Sequence, residues 1–172
     1  NKLLVDYSKE KTKIINTKNL GPAGARNLAI EQSFGEYILP LDADDKIAPT
    51  YIKKAVEILE KNTNVGAVYC EASFFGSMKG KWELQPYSEK KIISNNMIFC
   101  SAIFRKELWF HVGGYNNNMK HGYEDWDFWL SFTEKKVSIV KIPETLFFYR
   151  KHEVDSRNSK INNSKEILLR LQ

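Results

Sequence analysis

The 172-residue chain has little cysteine and no long apolar run. Cys70 and Cys100 stand far apart and outside any CxxC. That spacing argues against a zinc site built on them and leaves buried free thiols as the simplest reading. No apolar stretch approaches the ~20 residues of a membrane-spanning helix. Residues 1–30 hold no apolar segment ahead of a small-residue cleavage site. No internal repeat, low-complexity tract or long linker is present, and no motif of a nucleic-acid reader appears. An initiator Met is also missing: "NKLLVDYSKEK" reads as the end of a helix already under way, so the expectation is a fragment.

What is present suits one packed domain. Hydrophobic residues make up 42% and charged residues 27%, a balance that supports a core rather than a disordered chain. The net charge of +5 is spread along the sequence and gives a generally basic surface. Residues 1–9 read as helical and "TKIINT" (12–17) as a short strand. "NLGPAG" supplies turn chemistry, and Ala25, Leu28, Ala29 and Gln32 then recur at helical spacing up to Gly35. "EYILPL" (36–41) has the continuous apolar pattern of a strand buried on both faces, with Pro40 awkward inside it.

Ile52, Ala55, Val56 and Leu59 mark one face of a helix after Pro49. "VGAVYCEA" (65–72) is the next buried strand, followed by a hairpin or excursion over 74–86. "NMIFCSAIF" (96–104) is a further apolar run, "RKELWFHVGG" (105–114) a short helix closed by glycine, and "YEDWDFWLSFTEKK" (123–136) a longer one. "VSIVKI" (137–142) and "TLFFYR" (145–150) are strands around Pro143, and a polar tail runs from Glu153 with a helical pattern over 163–171. Strands alternating with helices predict an α/β domain with a mostly parallel sheet.

The acids at the end of "EYILPLDADDK" need explaining. Asp42, Asp44 and Asp45 lie within four residues. At ~4 Å and an effective dielectric near 20, each pair costs about 4 kcal/mol. In open α/β sheets, ligands gather beyond the carboxyl ends of strands. Carboxylates there can hold a hard divalent cation together with substrate phosphates. The plain alternative is a loop with a helix cap, and Asp45 fits the cap best. An EF-hand is excluded because its sixth position would be Ile47 rather than glycine. A phosphatase of the Asp-x-Asp-Gly-Thr type fails because Asp45, Lys46 and Ile47 follow.

Read in order, "GPAGARN" (21–27), "GEYILPLDADD" (35–45), "GGYN" (113–116), "GYEDWDFWL" (122–130) and "YRKH" (149–152) resemble the family-2 glycosyltransferases of the GT-A fold. The resemblance covers residues 1–155, leaving 156–172 as a tail. It implies a Rossmann-like, single-domain α/β fold, a nucleotide-sugar donor of UDP or GDP type and an acceptor hydroxyl on a glycan or lipid-linked carrier. It also implies Mn2+ or Mg2+ as cofactor. On this match Asp44 contacts the cation, Asp42 the ribose or the cation's shell, and His152 completes the metal's coordination. Arg26 lies near the nucleotide. Asp125 is the base that takes the acceptor proton, and its place at a helix start favours the ionised form. Glu124 orients acceptor hydroxyls and Trp126 offers a ring face to a sugar, whereas Trp129 reads as core. One displacement with one base implies inversion.

The family's first β-α-β unit has no counterpart before Asn1, so part of the nucleotide pocket is expected to be missing from this fragment. The implied setting is cytoplasmic synthesis of a bacterial-type glycan, with the basic surface and tail able to hold the protein at a membrane. Two other classes stay open at this stage. One is a catalytically silent glycan- or nucleotide-binding module. The other is a metal-dependent phosphatase or nucleotidyltransferase.

Overall fold

Among the described residues, the longest run of consecutive buried positions lies in one strand. In the computed structural model, which describes residues 12–120 and 122–153, β3 (Val65–Gly76) opens with six consecutive buried residues. A run buried on both faces marks a central strand. β3 indeed lies in the middle of a six-stranded sheet of order β1-β5-β3-β6-β2. The remaining strands are β1 (Tyr37–Ile38), β2 (Lys46–Ile47), β4 (Gly80–Trp82), β5 (Ile103–Arg105) and β6 (Ser138–Lys151), with β4 paired to β3 as the expected hairpin. The longest ladder, β3 with β6, is parallel, and the other four pairings are antiparallel. The α/β class is as expected, and the sheet is mixed.

The helices are α1 (Gly21–Glu31), α2 (Tyr51–Lys61), α3 (Lys106–His111) and α4 (Glu124–Glu134). In α2, Tyr51, Ala55 and Leu59 are 0% exposed, at i, i+4 and i+8; of the face expected from Ile52, Ala55, Val56 and Leu59, Val56 is only half-buried and Ile52 is 50% exposed, so the buried stripe runs through Tyr51 instead. Arg105 closes the end of α2: its Nη2 donates to Leu59 O at 2.6 Å and its Nε to Val65 O at 3.0 Å. α4 buries Phe128, Trp129 and Phe132, whose rings meet Phe104 of β5 at 5.1, 6.0 and 6.0 Å between centroids. This aromatic layer fixes where α4 begins, and so where Asp125 sits.

Several local expectations change. "TKIINT" forms no strand: it has no ladder partner among the described residues, and Ile14 is 41% exposed. "EYILPL" pairs over two residues only, at a sheet end, and Leu41 is 43% exposed. Pro40 has no N–H to extend the ladder. The two strands around Pro143 are one, β6, with a bulge. Ile142 pairs with Cys70 and Thr145 with Glu71, so Pro143 and Glu144 are looped out of register. The run 96–104 is mostly a buried loop, with Met97, Ile98 and Phe99 no more than 5% exposed and only its last two residues in β5. The helix expected over 1–9 and the tail helix over 163–171 lie outside the described residues. Among the described residues, no helix is long and apolar enough to cross a membrane.

Candidate active site

The "GARN" motif supplies two side chains that tie distant segments together. Arg26 Nη1 donates to Glu124 Oε1 at 2.7 Å, and Arg26 Nη2 donates to Asp42 Oδ1 at 3.0 Å. One guanidinium therefore joins the acidic loop after β1 to the first turn of α4. Asn27, next along α1, fastens the "GGYN" turn. Its Nδ2 donates to Tyr115 O at 2.7 Å, and its Oδ1 accepts from Tyr115 N at 2.8 Å and from Trp109 Nε1 at 3.0 Å. Gly114 turns there with φ +76°, and any Cβ on it would sit 2.9 Å from Asn27 Oδ1. The turn needs glycine for both reasons.

Each clustered acid has its own partner, which offsets part of the repulsion that the sequence posed. Asp42, about half exposed, bonds Arg26. Asp44 Oδ2 lies 2.8 Å from His152 Nε2. That hydrogen bond holds the Asp44 carboxyl below its usual range, against the opposing effect of burial. Asp45 is not a helix cap. It is 9% exposed and accepts the Arg150 N–H at 2.9 Å, while Arg150 Nε donates to Asp44 O at 3.0 Å. Burial, then Asp44 and Asp42, push the Asp45 carboxyl up to about 6. These bonds pin the acidic loop to the end of β6, which places His152 beside Asp44.

Asp125 sits in the first turn of α4, and its Oδ1 accepts the N–H of Trp126 at 2.8 Å. The residue before the helix, Tyr123, has φ 62°, a left-handed backbone that a tyrosine adopts at a cost of about 1–3 kcal/mol. The helix dipole led to an expectation of a low pKa for Asp125. The structure reverses it. Burial, reinforced by the neighbouring Glu124, pushes its carboxyl up to about 6, although Arg26 and bonds from Trp126 N–H and the Asn96 side chain pull the other way. Desolvation outweighs the dipole here.

Three roles expected from the resemblance meet different surroundings. Arg26, expected near the nucleotide, has a side chain 12% exposed and held by two carboxylates. Glu124 is 2% exposed and holds Arg26, so it is turned inward rather than toward an acceptor. Trp126 is 5% exposed, and its indole N–H donates to Ile92 O at 2.6 Å, so it anchors the loop before β5 and presents no open ring face. Trp129 is core, as expected.

The pairings that sequence reasoning missed are those of Asn27, Asn96, Cys100 and Arg150. Cys100 Sγ lies 3.9 Å from Asp42 Oδ2, and burial raises its thiol to about 12, so it stays neutral. "GARN" itself pointed to Asn27. "YRKH" likewise contained Arg150, whereas Asn96 and Cys100 carried no local signal. Arg26 and Asp42 also line a cleft of about 440 Å³ between α1 and β1, walled by Ala25, Ala29, Ile38 and Leu39. That volume falls in the range of small-molecule sites.

Among the described residues, no three acidic, histidine or cysteine side chains converge as a ready-made metal cage. Asp44 and His152 do offer an oxygen and a nitrogen donor 2.8 Å apart. Two neighbouring ligands of an octahedral cation with bonds of about 2.1 Å lie about 3 Å apart, so this pair fits a two-residue site. Substrate phosphates would complete such a site, the usual arrangement for Mg2+. Asp42 fits the cation less well, because Arg26 occupies one of its oxygens.

A carboxylate-rich loop beyond a sheet strand is thus joined through one arginine to a carboxylate-bearing helix start. Comparison with known proteins fixes the class. The family model for glycosyl transferase family 2 matches residues 2–122, and the chain belongs to that family. An uncharacterized glycosyltransferase of Haemophilus influenzae is 28% identical over 155 residues, covering 85% of this chain and 52% of the relative. The teichoic acid poly(glycerol phosphate) polymerase of Staphylococcus epidermidis is 28% identical over 159 residues, covering 84% of this chain and 21% of that protein. Among solved structures, S. aureus TarS residues 1–349 in complex with UDP-GlcNAc superimposes with TM-score 0.68 at 18% identity, over 92% of this chain and 48% of that 1–349 chain. At that identity the likeness speaks for the fold alone. The chain spans about half the length of the first of these relatives.

Proposed function

We propose that this chain is part of an inverting, divalent-cation-dependent glycosyltransferase that moves a sugar from a nucleoside diphosphate to an acceptor hydroxyl. The observation that carries the reading is the pair of hydrogen bonds that Arg26 donates, to Asp42 at 3.0 Å and to Glu124 at 2.7 Å. It brings the acidic loop and the helix start bearing Asp125 to one place, as a donor site facing a base requires.

Asp125 is the proposed base. Its carboxyl, at about 6, is mostly ionised at neutral pH yet basic enough to take a proton from a hydroxyl as the sugar departs. A raised value makes it a better base than an ordinary aspartate. The proton passes from the acceptor oxygen to the Asp125 carboxylate, and the new bond forms on the face opposite the leaving diphosphate. One displacement gives inversion. Asp44 and His152 are proposed to hold Mn2+ or Mg2+, which when bound stabilises negative charge on the diphosphate. Asp42, held by Arg26, borders the 440 Å³ cleft, where the donor's nucleotide is proposed to lie.

A UDP-type donor is favoured because the structural neighbour TarS was solved with UDP-GlcNAc and with UDP. The match to a teichoic acid polymerase favours a cell-surface polymer or its lipid-linked precursor as acceptor, with cytoplasmic synthesis at the membrane. The test is UDP release by the full-length protein from a panel of UDP-sugars with Mn2+, read by chromatography. Asp44→Ala and Asp125→Ala are each expected to abolish transfer, the second leaving UDP binding intact. Release of orthophosphate instead of UDP would point to a phosphatase, and normal turnover by Asp125→Ala would remove the base assignment.

A further inference from the structure

Arg26 lies 98 residues from one of its partners and 16 from the other, so its bridge is a feature of the fold and not of local sequence. Glu124 is a carboxylate at 3% side-chain exposure, which a fold tolerates only with a cation beside it. Asp42, at 48%, would be stable in water alone, so its bond to Arg26 is not required to satisfy a buried charge. The guanidinium uses one nitrogen for each acid, and Tyr115 supports it from below, the ring centroid 5.7 Å from the Arg26 Cζ. A planar fork can reach two acids in two directions, whereas an ammonium is a single point of charge.

The groups that face Asp125 are Glu124 on its own helix, Arg26 from α1, Asn96 and Cys100 from the loop before β5, and Tyr115 from the glycine turn. Burial keeps the Cys100 thiol and the Tyr115 phenol neutral near pH 7. Glu124 adds negative charge and Arg26 is the cation of the set.

We propose that Arg26 is a positioning residue with two separable tasks: its fork sets the spacing between the acidic loop and the start of α4, and its charge keeps Asp125 ready to accept a proton. The proposal rests on the reading of Asp125 as the base.

The two tasks predict different behaviour for two substitutions. Arg26→Lys keeps the charge and loses the fork. Arg26→Gln loses both. Arg26 pulls the Asp125 carboxyl down against burial and Glu124, so removing its charge should raise the Asp125 midpoint. The experiment follows Asp125 in the full-length protein by carbon-detected NMR titration, alongside the pH profile of UDP release from UDP-GlcNAc with Mn2+.

Arg26→Gln is expected to move both midpoints upward, in step. Arg26→Lys is expected to leave both midpoints within a few tenths of wild type while kcat falls about tenfold or more, the order seen when a supporting group lets reacting groups drift apart. An unmoved Asp125 midpoint in Arg26→Gln would overturn the charge task. Full wild-type kcat in Arg26→Lys would overturn the spacing task. If Arg26→Gln fails to fold, the double variant Arg26→Gln/Glu124→Gln removes the stranded buried acid. It should fold and still show low kcat, and wild-type kcat there would overturn the proposal. If the wild-type protein releases no UDP from any donor, the functional reading fails, while the NMR titration still decides what Arg26 does to Asp125.

Discussion

Asp125→Asn should make the protein more stable and inactive. The ionised Asp125 carboxylate is penalised by burial and by Glu124, which raise its pKa from 3.8 to about 6. A shift of that size corresponds to about 3 kcal/mol between the two protonation states. The carboxylate is partly exposed, and solvent screening brings the expected effect to about 1–3 kcal/mol. The sign follows from proton counting. Between pH 3.8 and about 6 the unfolded chain has released its proton and the folded one still holds it, so stability falls as pH rises through this window. Above about pH 6 the whole penalty is present, and below the unfolded value it is absent.

Asparagine is isosteric, cannot ionise, and keeps an oxygen to accept the Trp126 N–H. Urea unfolding of wild type and variant at pH 7.5 and at pH 4 measures the difference, and the shared contribution of Asp45 cancels. The expected gain is about 1–3 kcal/mol at pH 7.5, shrinking toward zero at pH 4. A variant less stable at pH 7.5, or equally stabilised at both, would refute the account of Asp125 as a desolvated carboxylate.

Other outcomes follow from the same structure. UDP release should fall as pH drops through about 6, because only the ionised Asp125 takes a proton; a flat profile from pH 5 to 8 would argue against it. UDP binding by calorimetry should weaken at least about tenfold on adding EDTA or in His152→Ala, the loss typical when a metal site loses a supporting group; affinity indifferent to both would remove the metal role. Phe104→Ala takes a fully buried ring from contact with Phe128, Trp129 and Phe132 and should cost about 3–5 kcal/mol in urea unfolding; a loss under 1 would contradict that core. Gly114→Ala places a Cβ 2.9 Å from Asn27 Oδ1 at φ +76° and should cost about 1–3 kcal/mol; a neutral effect would show that the turn tolerates a side chain.

The sequence was informative wherever a periodic pattern met a strong local constraint. The helix carrying Ala55 and Leu59, the apolar run of β3 and the helix from Glu124 can be read directly, although the buried face of the first runs through Tyr51 and not Ile52. Apolar runs without a period were not resolved. Residues 96–102 are as greasy as a strand and are buried as a loop, because burial and strand pairing are separate requirements. The motifs located the acids, the arginine and the helix start, and the fold does bring them together. Their orientation was hidden. Nothing near Trp126 or Glu124 says which way a first-turn side chain points once Phe128, Trp129 and Phe132 have claimed the core. The pKa of Asp125 was misjudged because the dipole is a local property, whereas desolvation depends on α1, the loop before β5 and the glycine turn closing around it.

The proposed site has a direct physical test. Crystals of the full-length protein soaked with MnCl2 and UDP should show, by anomalous diffraction, one Mn2+ bound by Asp44 and His152, on the side of the acidic loop that faces Asp125. A strong Mn2+ peak on other carboxylates, or UDP bound away from the cleft beside Arg26 and Asp42, would contradict it.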